Sequence, residues 1–146
     1  MGRFQFRMDN ILSLRQKLED KKKQEYGDAN RKLQIENQKK QQLLDESAYV
    51  SKDLCDKMKE QIIPEEIISY NQYLKLLKRK TVEQDQVVRK AAFFAEKKRE
   101  ELLDAVKQRK MLESLKEKRW TEYKEEANRE EQKIIDEIVS FKSQSR

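Results

Sequence analysis

Histidine is absent from this 146-residue sequence, and cysteine and proline occur once each, at Cys55 and Pro64. The first absence removes the commonest general base and the commonest metal ligand of proteins. One cysteine excludes an internal disulfide and any multi-cysteine metal site, and leaves Cys55 as a thiol on a helix surface or seam. Only two glycines are present, whereas a compact sandwich or α/β domain needs turns built from glycine, proline, asparagine and aspartate clusters. No apolar run approaches the roughly 20 residues that span a bilayer, so direct membrane insertion is not expected. The opening MGRFQFRMDN has no signal-peptide core, and Phe6 stands where an N-myristoylation motif wants serine or threonine. Together these absences point to a reducing, cytoplasmic setting, no bound cofactor or metal, and no enzyme.

What is present is charge. Charged residues make up 42% of the chain and apolar ones 36%, with a mean hydropathy of -1.13. Such a composition with so few breakers predicts an all-α protein of long helices or a coiled coil. Disorder is the competing expectation, and the apolar periodicity argues against it. Pro64, followed by Glu65 and Glu66, marks the start of a helix, since proline suits the first turn and acids there complement the helix dipole. The expectation is one coiled-coil domain over 1–146: a helix over about 5–60, a break at about 61–64 and a helix over about 64–142. Gly27 lies within the first helix, at a cost of about 1 kcal/mol against alanine and with room for a gentle bend.

In the first helix Ile11, Leu14 and Leu18 share one 3-4 lattice, and Ala29, Leu33, Leu43, Val50 and Leu54 share another, offset by one residue. Such an offset is the drift of a helix that is not strictly supercoiled, and Glu36, Lys40 and Ser47 make the seam thin and partly polar. In the second, Ile67, Tyr70, Leu74, Leu77, Val88, Ala91, Ala95, Leu102, Ala105 and Leu112 fit one heptad frame. A later frame takes in Trp120, Tyr123, Ala127, Ile134, Ile138 and Phe141. Alanines at 91, 95 and 105 let a partner backbone approach closely. Two long helices joined by a short break bury each other's stripes when antiparallel. Their lengths are on the order of 80 Å and 115 Å, so folding about residue 62 sets residue 4 near residue 120 and leaves about twenty residues without a partner helix.

Charge is distributed unevenly. Residues 75–110 hold twelve Lys/Arg against six Asp/Glu, a net of +6, whereas residues 121–139 hold three against seven, a net of -4. The basic runs KLLKRK and EKKRE raise the question of nucleic acid, but Glu96, Glu100 and Glu101 cancel most of the field around Lys97, Lys98 and Arg99. A solvated flank is the plainer reading, with an RNA-gripping arm as the alternative. The acidic stretch NREEQKIIDEIVSF contains the adjacent pairs Glu130/Glu131 and Asp136/Glu137, which diverge on a helix and so form no catalytic dyad. It reads as a solvated face or as a surface for something that covers Ile134, Ile138 and Phe141. In SYNQYLKLLKRK, Tyr70 and Leu74 belong to the seam, while Tyr73, Leu77, Lys80 and Gln84 run along an adjoining stripe. An aromatic on such a flank is amphipathic cover or an anchor for a partner.

Three stretches, FQFRMDNILSLRQKLED, SYNQYLKLLKRKTVEQD and ANREEQKIIDEIVSF, resemble the flagellar FliJ family in their order and spacing, and the resemblance extends over essentially the whole chain. It implies a two-helix antiparallel coiled coil similar to the central stalk of rotary ATPases. It also implies a non-enzymatic component of the flagellar type III protein export apparatus, needed for flagellum biogenesis, motility and chemotaxis. The implied partners are the hexameric export ATPase, the cytoplasmic part of the export gate, and flagellar substrate chaperones, with no nucleic acid. Localisation would be cytoplasmic, peripheral at the inner face of the cell membrane through the apparatus. By the same resemblance the ring-entering tip falls on Arg129, Gln132, Lys133, Asp136 and Glu137, and the gate-binding face on Tyr73, Leu77, Lys80 and Gln84. At Lys80 and Gln84 the sequence departs from the smaller or less polar residues of that pattern. A generic coiled-coil spacer is the alternative function, and the injectisome counterpart the alternative machine.

Overall fold

The protein, in a computed structural model, is described over residues 2–145. Two helices account for almost all of it, α1 over Asp9–Glu60 and α2 over Pro64–Gln144, and no strand occurs among the described residues. Asp9 opens α1 with a negative charge at the positive end of the helix dipole, and Lys57 and Lys59 close it with cations at the negative end. Residues 61–63 make the turn. Pro64 then starts α2 with Glu65 and Glu66 in its first turn, and Ile67 N–H donates to the Ile63 carbonyl at 3.2 Å. α1 runs through Gly27 without a positive φ, so the helix is not interrupted there.

The chain packs as two units. Lys22–Leu102 forms a helical hairpin whose cross-helix pairs run antiparallel: Lys22 with Glu101, Glu25 with Lys98, Lys40 with Asp85, and Asp53 with Tyr70. Its α2 seam follows the expected heptad frame. Ile67, Tyr70, Leu74, Val88 and Leu102 are half-buried, Ala91 and Ala95 are buried, and Leu77 is 2% exposed. Burying one leucine so fully contributes about 1.5–3 kcal/mol. The frame's polar positions lie in the same seam. Gln84 Nε2 donates to the Glu36 carbonyl at 2.9 Å and to its carboxylate at 2.7 Å, so these part-buried groups meet each other instead of water.

The other unit joins Met1–Lys21 to Leu103–Arg146. Here too the pairing is antiparallel, Glu19 with Arg109, Asp9 with Lys116, and Phe4 with Trp120. The ring centroids of Phe4 and Trp120 are 5.0 Å apart, the register that folding about residue 62 requires. Residues 2–6 are not helical: Phe6 is buried, and Phe4 meets both Trp120 and Tyr123. Those contacts hold the segment in a different conformation from the helical start at about residue 5.

The first lattice expected for α1 does not form the seam. Ile11 and Leu14 are exposed, at 47% and 64%, whereas Leu12 is buried. A single frame in fact runs through Leu12, Arg15, Glu19, Lys22, Tyr26, Ala29 and Leu33 and on to Leu54, and none of its positions is exposed. Glu19 fits the seam because Arg109 meets it there, and Arg109 also pairs with Glu113, one turn on in α2, at 2.8 Å. Among the described residues no buried side-chain nitrogen or oxygen lacks a hydrogen-bond partner.

Candidate functional site

Two stretches of α2 were expected to meet partners, and the fold treats them differently. Tyr73 and Lys80 are exposed on the hairpin's flank. The Tyr73 hydroxyl donates to Glu46 on α1, and that carboxylate, together with partial burial, raises the phenol's pKa. Leu77 and Gln84 are not on this flank. Leu77 is covered by α1, and Gln84 is turned into the seam by its two bonds to Glu36. The physical reason is the 3-4 lattice itself: Tyr70, Leu74, Leu77, Thr81 and Gln84 are successive seam positions, while Tyr73 and Lys80 sit one step outside. The surface at this place is therefore Tyr73 with Lys80, and Leu77 between them in sequence lies buried in the seam.

The C-terminal stretch has the opposite character. Every described residue from 128 onward is exposed, including Arg129, Gln132, Lys133, Asp136 and Glu137. Gln132 donates to Asp136 at 3.1 Å and Arg129 lies 3.8 Å from Glu125, the i,i+4 pairs that support a solvated helix. Ile134, Ile135, Ile138, Val139 and Phe141 nevertheless form a wide apolar stripe, with Phe141 73% exposed. The last half-buried position on α2 is Ala127; just before it Tyr123 donates to the Gly2 carbonyl, and Trp120 stacks on Tyr123 with Lys124 over its indole at 4.8 Å. Packing thus stops at Ala127 while the helix continues for more than four turns.

Sequence reasoning passed over two further exposed groups. Phe93 and Phe94 stand on the outer side of the hairpin, and neither belongs to the seam frame that takes Ala91 and Ala95. Adjacent aromatics beside an alanine seam were the signal, because they cannot share its lattice. Leu103, Val106, Lys107, Lys110, Met111 and Ser114 line a shallow groove, wide open to solvent, along one face of α2. No group of three or more acidic or cysteine side chains is placed to hold a metal among the described residues, and no described helix is long and apolar enough to cross a membrane. What the surfaces present is exposed apolar side chains interspersed with charge.

The model of the family described as flagellar FliJ protein matches residues 4–146. Among solved structures, CT670 of Chlamydia trachomatis, described as a YscO homologue, superposes with a TM-score of 0.60 at 19% identity. The match covers 97% of this chain and 96% of that one, and at this identity it is a likeness of fold. No curated protein matches.

Proposed function

This chain belongs to the flagellar FliJ family, a component of the type III export apparatus, and from that premise we propose that it serves there as a non-enzymatic stalk. In this reading the C-terminal stretch of α2 enters the ring of the export ATPase and promotes its assembly and hydrolysis. The hairpin's flank at Tyr73 and Lys80 meets the cytoplasmic part of the export gate, and substrate chaperones are further partners. The protein is then held at the inner face of the membrane through the apparatus rather than by its own lipid contact.

One observation supports the stalk reading above the others: residues 128–144 are helical and wholly solvated, yet they present five large apolar side chains. Arg129, Gln132, Lys133, Asp136 and Glu137 are distributed around that stripe. A single helix of this kind is thin enough for a channel, and its net charge of -4 over 121–139 would speed encounter with a basic lining more than it would add affinity.

The test is ATP hydrolysis by the cognate flagellar export ATPase, titrated with the full chain and with a chain ending after Ala127. That truncation keeps the packing of Phe4 on Trp120 and Tyr123, so the rest of the fold is not disturbed. Stimulation that saturates near one chain per ring and is lost on truncation is the expected result. Equal stimulation by both chains would remove the tip, and no stimulation at any ratio would remove the stalk. For the gate, Tyr73→Ala with Lys80→Glu should weaken binding of the gate's cytoplasmic part without altering helicity, and unchanged binding would take this flank out of the reading.

A further inference from the structure

We propose that two copies of this chain associate reciprocally, the acidic-apolar end of α2 in one copy lying in the groove between Leu103 and Ser114 of the other. The groove's walls combine the apolar Leu103, Val106 and Met111 with two cations, Lys107 and Lys110, and no carboxylate lines it. Met111 is 65% exposed and Leu103 52%, so the groove lies open among the described residues. The same unit supplies a helix of complementary character: Ile134, Ile138 and Phe141 at 3-4 spacing, with Asp136 and Glu137 among them.

Dimensions agree as well as charge. Leu103 to Ser114 extends on the order of 17 Å along the helix, and Ile134 to Phe141 on the order of 11 Å, so the stripe fits inside the groove. Both surfaces belong to the uninterrupted helix α2, which cannot fold onto itself, and the contact is therefore made between copies. Each copy has both halves. A two-fold arrangement makes the contact twice and closes the assembly, whereas a head-to-tail arrangement would leave one half open at each end. Opposite charges set the pairing and its direction, and the apolar stripe supplies the driving force.

This goes beyond the stalk reading and does not depend on it. If both hold, the dimer covers the very residues that would enter the ATPase ring, so self-association and ring entry exclude each other.

The test is sedimentation equilibrium of the full chain, without ATPase, at about 0.05 M and about 0.5 M NaCl. A concentration-dependent dimer is expected at the lower salt, weakened about tenfold or more at the higher, because screening removes the charge contribution. Ile138→Asp should abolish it, and Lys107→Glu/Lys110→Glu and Asp136→Lys/Glu137→Lys should each weaken it about tenfold or more when alone. Mixing the two charge-reversed chains should restore dimer, since an acidic groove then meets a basic helix end and a basic groove an acidic one. All these positions are solvent-exposed, and far-UV circular dichroism should show unchanged helicity. A monomer up to about 100 µM at low salt would overturn the proposal. So would a dimer indifferent to Ile138→Asp, or charge-reversed chains that fail to rescue each other.

Discussion

Residues 67–102 and residues 128–144 belong to one helix and are rich in the same charged and aliphatic side chains, yet their surroundings are opposite. In the first stretch every seam position is at least half-buried, including Gln84 and Lys98. In the second even isoleucine and phenylalanine are bare. Hydrophobicity alone does not decide burial here; the presence of a partner helix does. With α1 alongside, a polar residue is accommodated in the seam because a partner atom replaces its water, as Glu36 does for Gln84 and Glu25 does for Lys98. Without it, apolar side chains stay exposed on a helix sustained by local i,i+4 pairs. Stability is concentrated in the first stretch, and the second leaves its apolar side chains free for the partner proposed for it.

The sharpest way to break that contrast is at Leu77. Leu77→Ala removes the most buried large side chain and leaves a cavity between α1 and α2, with an expected loss of about 2–5 kcal/mol in urea unfolding. A loss below about 0.5 kcal/mol, the level of an ordinary surface substitution, would show that Leu77 faces solvent and would return it to the flank with Tyr73.

Acid should divide the two stretches next. The Glu36, Asp85 and Glu101 carboxyls lie below their ordinary values because Gln84, Lys40 and Lys22, respectively, donate hydrogen bonds to them, with neighbouring lysine or arginine charge adding to the effect. At Glu25 burial acts upward and is the largest single influence, but Lys22 and Lys98 together outweigh it. Because these folded-state values are depressed, the stability they contribute is present above the unfolded-state values of about 3.9 for aspartate and about 4.3 for glutamate. It is lost as pH falls through the folded-state values. The melting temperature should accordingly fall on going from about pH 6 to about pH 3, and Glu101→Gln should make that fall smaller. An unchanged pH slope in Glu101→Gln would mean that the Lys22–Glu101–Lys98 contacts do not persist in solution.

Much of this arrangement was legible in the residues. Pro64 with two glutamates located the turn, the heptad from Ile67 to Leu112 identified the α2 seam, and chain length placed Phe4 beside Trp120. The beginning of α1 was not legible. Ile11, Leu14 and Leu18 make a convincing lattice, and Glu19 looks like a solvent residue until Arg109, ninety positions away, is known to meet it. Apolar spacing reports which residues are able to share a face, whereas the partner's side chains decide which face is used. The Tyr73 stripe failed for a related reason: Leu77 satisfies both a flank and a seam by spacing, and only the depth of α1 against it separates the two. The bare end of α2 was legible from length alone, because α1 is too short to reach it.

The smallest effect is expected where the largest apolar exposure lies. Ile138 is 51% exposed and lies beyond Ala127, where packing has ended, so Ile138→Ser removes no folded-state contact with α1. Serine has a slightly weaker helix preference, but the substitution stands in a solvated segment, and unfolding should shift by less than about 0.5 kcal/mol. The comparison must be made at a concentration where the chain is monomeric, because association through this stripe would couple stability to concentration. A much larger loss at high dilution would mean that Ile138 packs within the chain. The contrast between a clamped and a bare stretch of α2 would then fail, since the segment assigned to recognition would itself be supporting the fold.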